Sequence, residues 1–385
     1  MNTFLLKKID KWVFGFVCLI LYPFFFVMKS LRINRKYQDK TKIKNILIIK
    51  IWAIGDSVNT LPMIKILKEY NKKAKITVLA SKTNSPVYEG QKFIDKIILL
   101  NTKNIIRLIL NIKRYDLCLD LEPFTNSTAL ISFFVAKIRV GFSGQLRSII
   151  YNTTTPFSKN QHIVKTYLDM VKIINDSTAS KKIQNITELI KLKYSEKEKK
   201  RVDTLLLKNK IINKHTLIGF CPGVGDSIKE RQWPKENFKK LAQLITNNNK
   251  KAKIILIGTK KEYELNNYIK NNNKNIINLS GKTDIKQLFY LIKKTRIFIS
   301  NDTGPMHIAA AQGVNTIGLF GPNTPIIWAP FGKKNISIFH PIKGCPYMDN
   351  TKHKLVPSKL TEEQRKCMNT ITIDEVFKAY ENFTV

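Results

Sequence analysis

Residues 297–325 read IFISNDTGPMHIAAAQGVNTIGLFGPNTP, and this stretch decides the fold. Ile297, Phe298 and Ile299 are apolar, as a buried parallel strand should be. Ser300 to Gly304 forms a polar turn, and Pro305 suits the first turn of a helix, where its missing N–H costs nothing. His307 to Ala311 continue that helix until Gly313, which can take the left-handed conformation that ends helices. Residues 316–320 are the next strand, closed by Gly321-Pro322. The order strand, turn, helix, strand is one βαβ unit. A tight turn at a strand's carboxyl end presents unpaired N–H groups and a positive helix dipole, a site for a phosphate or diphosphate. Without such a ligand, Ser300, Asp302 and Thr303 would simply cap the helix.

The same alternation extends in both directions. Apolar runs at 46–51, 76–80, 96–100 and 117–121 predict strands, with helices at 61–70 and 105–112 between them. A polar, lysine-rich stretch at 178–214 follows, carrying a helix-like pattern near 196–207. Strands then resume at 217–221, 253–257 and 276–279, ahead of the quoted unit, and 373–380 predicts a terminal helix. Strands alternating with helices imply doubly wound parallel sheets. Two such halves imply a cleft, with ligands outside the carboxyl ends of the strands. The expected domains are 1–42, an apolar segment with a basic flank; 43–177; a connection at 178–214; and 215–385.

A chain of 385 residues is too long for one ordinary core and suits two domains. Lys and Arg number 66 against 28 acids, a net charge of +38, which favours anionic partners: nucleic acid, acidic membrane or phosphorylated substrates. The lysines are dispersed, as they would also be on solvated faces, and no nucleic-acid motif accompanies them, so no nucleic-acid partner is expected. Cys18, Cys118, Cys221, Cys345 and Cys367 are odd in number and widely spaced, against a disulfide framework or structural zinc. Residues 12–28, WVFGFVCLILYPFFFVM, are apolar between basic flanks. As one helix they would just reach the length that crosses a bilayer, so a membrane-inserted or membrane-lying anchor is expected. The other reading is a helix docked on the protein itself.

Three further stretches carry chemistry. Residues 49–65, IKIWAIGDSVNTLPMIK, place Gly55 and Asp56 after the first strand, where Asp56 either caps the next helix or acts on a ligand. Residues 219–242, GFCPGVGDSIKERQWPKENFKKLA, hold a glycine turn whose Gly223, Gly225 and Ser227 are candidates to face phosphate. Arg231 follows, able to pair with a diphosphate; Lys229 is its substitute. In residues 255–264, ILIGTKKEYE, Gly258 ends a strand and Glu262 or Glu264 follows.

The quoted stretch resembles the signature of glycosyltransferase family 9, the bacterial lipopolysaccharide heptosyltransferases: D-[ST]-G-x-x-H-x-A-A-A, then L-F-G-P-[TN]-x-P. Asp302, Thr303, Gly304, His307, Ala309 to Ala311 and Leu319 to Pro322 meet it. Gly55, Asp56, Val58 and Pro62 are similar to the family's G-D-x-[VI]-x-x-x-P turn, Arg231 to its K/R-x-W-P motif, and Glu262 to its G-x-x-x-[DE] spacing. Residues 115–142 match more loosely, offering Asp120, Glu122, Asn126 and Ser127 to the acceptor, and His162 matches a histidine common there.

The resemblance implies a GT-B fold, α/β with two Rossmann-like doubly wound domains. It also implies inverting transfer of a sugar, heptose from ADP-heptose, to a lipopolysaccharide-core or other lipid-linked glycan, with Asp56 as general base. Gly55, Asn126 and Ser127 would lie on the acceptor side. Arg231, Glu262, Asp302, Thr303, Gly304 and His307 would bind the donor. No D-x-D metal motif is present, Asp120-Leu121-Glu122 being a weak approximation, so neither a metal nor a cofactor is expected. The partners expected are the nucleotide-sugar donor, the acceptor and the membrane surface, at the cytoplasmic face of the inner membrane. Two alternatives are another nucleotide sugar in capsule or O-chain assembly, and a non-catalytic basic membrane or nucleic-acid adaptor on the same fold.

Overall fold

The computed structural model describes residues 9–30, 43–225, 228–349 and 359–384. Ser227 lies outside them, as do the basic residues at 1–8 and 31–42. The chain divides into two compact units, Met1–Ile186 with Asp349–Leu355, and Thr187–Met348 with Val356–Val385.

In the first unit, strands β1 (Asn45–Ile49), β2 (Lys75–Ala80), β3 (Lys96–Leu99), β4 (Tyr115–Asp120), β5 (Ala136–Phe142) and β6 (Thr153–Thr155) form one parallel sheet. Its order is β3-β2-β1-β4-β5-β6. Ile46 of β1 stands opposite Ile76 on one side and Leu117 on the other. The chain runs outward from β1 to β3, then returns to pair β4 with β1. The carboxyl ends of β1 and β4 are therefore the point where the winding reverses and ligands bind in such sheets. Short strands with buried aliphatic side chains on both faces account for a core carried by Leu47, Ile49, Leu79 and Cys118.

Helices α1 (Gly15–Ile20) and α2 (Tyr22–Ser30) precede β1. Helices α3 (Ile54–Tyr70), α4 (Ser85–Tyr88), α5 (Thr102–Leu110), α6 (Asn126–Val135) and α7 (Ile163–Gln184) follow in order. Two sequence expectations are corrected here. Helix α3 starts at Ile54, seven residues before the expected 61, so Gly55 and Asp56 belong to its first turn and Pro62 lies inside it. The apolar segment is also not one helix. A π-helical turn at Asp10–Phe14 leads into α1, which ends at Leu21 before the nine residues of α2. Pro23 is the second residue of α2, where the N–H it lacks would be unpaired anyway, and the break at Leu21 lies just ahead of it.

The second unit repeats the plan. Strands β7 (Thr216–Cys221), β8 (Ala252–Leu256), β9 (Ile276–Asn278), β10 (Ile297–Asn301), β11 (Asn315–Leu319) and β12 (Asn335–Ile338) form a parallel sheet ordered β12-β11-β10-β7-β8-β9. Its winding reverses between β7 and β10, where Ile297 faces Ile218. Its longer helices are α8 (Glu196–Lys208), α9 (Lys235–Asn248), α10 (Tyr263–Lys270), α11 (Ile285–Lys293), α12 (Gly304–Gln312) and α13 (Ile373–Glu381). Helix α12 ends at Gly313 with φ 76°, the left-handed stop its sequence predicts. Trp233 is fully buried in this core beside Phe238, and its indole N–H donates to Ile371 O at 3.0 Å, tying the terminal segment down.

Candidate active site

In the first unit, Asp56 sits at the carboxyl end of β1 on the first turn of α3, where the helix dipole favours a negative charge. Its side chain is 26% exposed, and its Oδ2 lies 3.4 Å from Lys50 Nζ. The backbone leading to it is fixed. Ala53 takes φ 62°, ψ 123°, a region that L residues avoid. Glu122, past the end of β4, has its Oε1 within reach of Lys50 Nζ at 3.2 Å, Ile51 N at 2.7 Å and Trp52 N at 2.9 Å. Asn84 Nδ2 donates to Lys50 O at 2.9 Å and to Ser57 Oγ at 2.7 Å. Ile51 and Trp52 line a small apolar pocket with Ile9, Phe14, Leu100 and Ile131.

The residues expected on the acceptor side also make contacts within this unit. Asp120 is fully buried, 3.2 Å from Arg147 Nη1 and accepting from the Tyr151 hydroxyl at 2.7 Å. Glu122 is 1% exposed and bound to the β1 loop. Asn126 and Ser127 open α6, and both their N–H groups donate to the Asp10 carboxylate at 2.8 and 2.9 Å, with Ser127 Oγ donating at 2.6 Å. Asp10 thus caps α6 from 116 residues away and clamps the N-terminal segment to this unit. Cys18 and Phe25 bury the segment's inner face against Ala129, Leu130, Ile150 and Tyr151. Its other side leaves Trp12, Phe16, Ile20 and Phe24 more than half exposed. Among the described residues no helix is long and apolar enough to cross a membrane. His162 caps α7, its Nδ1 accepting from Val164 N at 3.1 Å. Gly55 is buried in α3.

In the second unit, Arg231, Asp302, Thr303 and Gly304, expected on the donor side, lie at the carboxyl ends of β7 and β10. Asn301 Nδ2 donates to Pro222 O at 2.7 Å and its Oδ1 accepts from Trp233 N at 3.0 Å, joining the two loops. Arg231 Nη2 is 2.7 Å from Asp302 Oδ2 and also donates to the Asp302 carbonyl. Asn323 Nδ2 reaches the same Oδ2 at 2.7 Å. Thr303 is the N-cap of α12 and Gly304 its first residue, so the helix's opening N–H groups lie beside this pair. His307 is 3% exposed on α12. Lys229 is exposed two residues before Arg231 in the same 3₁₀ turn.

Glu262 does not stand apart on its helix. Its Oε1 accepts from Gly225 N at 2.8 Å, while its Oε2 accepts from Thr259 N at 2.6 Å and Thr259 Oγ1 at 3.0 Å. A Cβ on Gly223 would fall 1.8 Å from Glu262 Oε1, and Gly225 has φ +61°. Gly225 is therefore required by the loop's backbone, and Gly223 leaves the space that the Glu262 carboxylate fills. Glu264 is exposed. Cys221 is buried, which pushes its thiol up to about 12 with a further push from Glu262, so it is protonated near neutrality and spaces the loop. All five cysteines are free thiols. Among the described residues no group of three or more His, Cys, Asp or Glu is placed to hold a metal ion.

Sequence reasoning missed Lys50, Asn84 and Asn323, and also Asp10. Lys50 closes an apolar run and reads as a solvated charge, and the two asparagines sit in turn-rich stretches where they read as turn formers.

The model of glycosyltransferase family 9 (heptosyltransferase) matches residues 106–355. Lipooligosaccharide heptosyltransferase 2 of Haemophilus ducreyi is 30% identical over 320 residues, 76% of this chain and 88% of that protein. Lipopolysaccharide heptosyltransferase 2 of Salmonella typhimurium is also 30% identical, over 232 residues covering 58% of this chain and 64% of that one. Among solved structures, a family 9 glycosyl transferase from Veillonella parvula superposes with a TM-score of 0.74 at 20% identity, over 90% of this chain and 99% of that one. The E. coli ADP-heptose LPS heptosyltransferase II gives 0.69 at 22%, over 89% and 98%. At these identities the likeness is one of fold, the GT-B fold.

Proposed function

The chain belongs to glycosyltransferase family 9 and is a glycosyltransferase, and from that premise we propose that it transfers heptose from ADP-heptose to a lipopolysaccharide-core acceptor. The relatives' names support the donor and acceptor classes. The observation that carries the mechanism is the placement of Asp56 at the β1/β4 reversal point, partly exposed and backed by a buried ammonium. As the acceptor oxygen bonds to the anomeric carbon, its proton passes to Asp56. The carbon–oxygen bond to the diphosphate breaks with its electron pair leaving on the diphosphate, and configuration inverts. In the second unit, Arg231 and the opening N–H groups of α12 bind that diphosphate. Residues 43–177 carry the acceptor side and 215–385 the donor side.

The enzyme works at the cytoplasmic face of the inner membrane. The N-terminal segment lies in the lipid interface rather than spanning it, with its outward Trp12, Phe16, Ile20 and Phe24 among the headgroups. This reading is supported by the break at Leu21 and by the docking of the segment's inner face.

Asp56→Asn tests the mechanism. Transfer should stop while the Kd for ADP stays within a few-fold of native. Near-native turnover would remove Asp56 as the base. A panel of nucleotide sugars offered to the native enzyme tests the donor, and preference for another sugar would reassign it.

A further inference from the structure

Lys50 belongs to none of the motifs, yet it is 1% exposed directly behind Asp56. A buried lysine normally sheds its proton, because burial penalises the charged form. Here burial acts in that direction but is outweighed by Glu122, with Tyr167 and Asp56 adding to it, and the ammonium is held well above the ordinary lysine value. The groups that face it come from four elements: Glu122 past β4, Asp56 on α3, Tyr88 on α4 and Tyr167 on α7. Both phenols are buried and pushed upward, Tyr88 to about 12, so they are neutral near pH 7. One cation therefore serves two carboxylates. Glu122 cannot leave it, since the same Oε1 also receives the N–H groups of Ile51 and Trp52.

We propose that Lys50 is the positioning residue of the transfer reaction: fixed by Glu122, its ammonium keeps Asp56 ionised and aimed at the acceptor. This rests on the reading of Asp56 as base. During transfer the acceptor proton moves to Asp56, and Lys50 exchanges none. Once Asp56 is neutral, Lys50 and Glu122 remain as a closed pair, so proton uptake leaves no stranded buried cation.

The test is kcat against pH for the full-length enzyme with ADP-heptose and acceptor. Lys50→Met should lower kcat at least tenfold at pH 7 and move the acid limb to higher pH, because the carboxylate loses its neighbouring cation. ADP affinity, a property of the other unit, should stay within twofold. Lys50→Met alone leaves Glu122 buried with an uncompensated charge, so the double variant Lys50→Met/Glu122→Gln is measured beside it and should show the same displaced limb with a native-like unfolding transition. A folded variant with the native acid limb would overturn the proposal, as would a kcat reduced equally at every pH, the mark of a purely structural role. If Asp56→Asn keeps turnover, the base assignment fails. If Asp56→Asn is inactive while the double variant keeps the native limb, only the role of Lys50 fails.

Discussion

Arg231→Ala separates support of the loop from binding of the donor. Arg231 meets Asp302 Oδ2 at 2.7 Å, and the Asp302 side chain is 6% exposed. Without the guanidinium, that carboxylate keeps the Asn323 amide at 2.7 Å. Stranding one partner of a buried pair costs about 3–5 kcal/mol. Because Arg231 is itself 16% exposed and Asn323 still donates, a loss of about 2–3 kcal/mol in stability is expected. The donor loses a charge-assisted hydrogen bond besides, about 1.5–3 kcal/mol, or roughly ten- to hundredfold in Kd for ADP. Adenosine, which has no phosphate, should bind native and variant alike. The double variant Arg231→Ala/Asp302→Asn removes the stranded charge, so most of the stability should return while ADP binding stays weak. Calorimetric titration with ADP and adenosine, beside thermal unfolding, reads both quantities. If the stable double variant lost ADP and adenosine affinity equally, or bound ADP natively, Arg231 would be a prop of the loop and no ligand to diphosphate.

Gly223→Ala should drive Glu262 off the loop, since the new Cβ would stand 1.8 Å from its Oε1; a fall of tenfold or more in donor affinity with little change in melting temperature is expected, and native affinity would show that the loop yields. Transfer should persist in excess EDTA, and strict dependence on Mg²⁺ or Mn²⁺ would show that the diphosphate is neutralised otherwise than by Arg231 and N–H groups. Asp116 is held below the ordinary carboxylate value: burial raises it, but hydrogen bonds from Lys137 and from the N–H groups of Lys44 and Asn45 outweigh burial. Its contribution is present above the unfolded pKa near 4 and is lost as pH falls through the lower folded value. Asp116→Asn should therefore destabilise by about 1 kcal/mol at pH 7 and converge with native in acid, and a constant difference down to pH 2 would contradict this. Deleting residues 1–36 should abolish co-sedimentation with anionic vesicles in high salt, where the intact chain still binds; a freely soluble intact chain would remove the lipid-facing role.

Most strands were legible because parallel strands buried on both faces must be apolar: the runs at 46–51, 217–221 and 297–299 coincide with β1, β7 and β10 to within two residues, whereas the short, more polar edge strands β6 and β12 were not read. Helix α12 was legible through Gly313. The start of α3 was not, because Gly55 and Pro62 both read as breakers while tertiary burial of Val58, Leu61 and Ile64 holds that turn helical. Both sites are held by contacts between residues far apart in the chain, Arg231 and Asp302 being 71 positions apart; in the second unit both partners lie in family motifs, whereas in the first unit Lys50 and Asp10 lie in none. Asp10 and Ser127 are 117 positions apart, and Lys50 and Glu122 are 72. Asn126 and Ser127, offered to the acceptor by the loose family match, also give their N–H groups to Asp10, a tie between distant residues that periodicity and spacing do not register.

Both units tie their working loops with one side chain from the neighbouring strand's end: Glu122 holds Ile51 and Trp52, and Asn301 holds Pro222 and Trp233. Surface loops ordinarily sample many shapes and must be ordered when a substrate arrives, which subtracts from its affinity. Here the ordering entropy is incurred once, when each sheet forms, because these ties cannot be made until β1 has met β4 and β7 has met β10. The tied residues thus come to their ligands already placed, and more of the ligands' binding energy is left for orienting the reacting atoms.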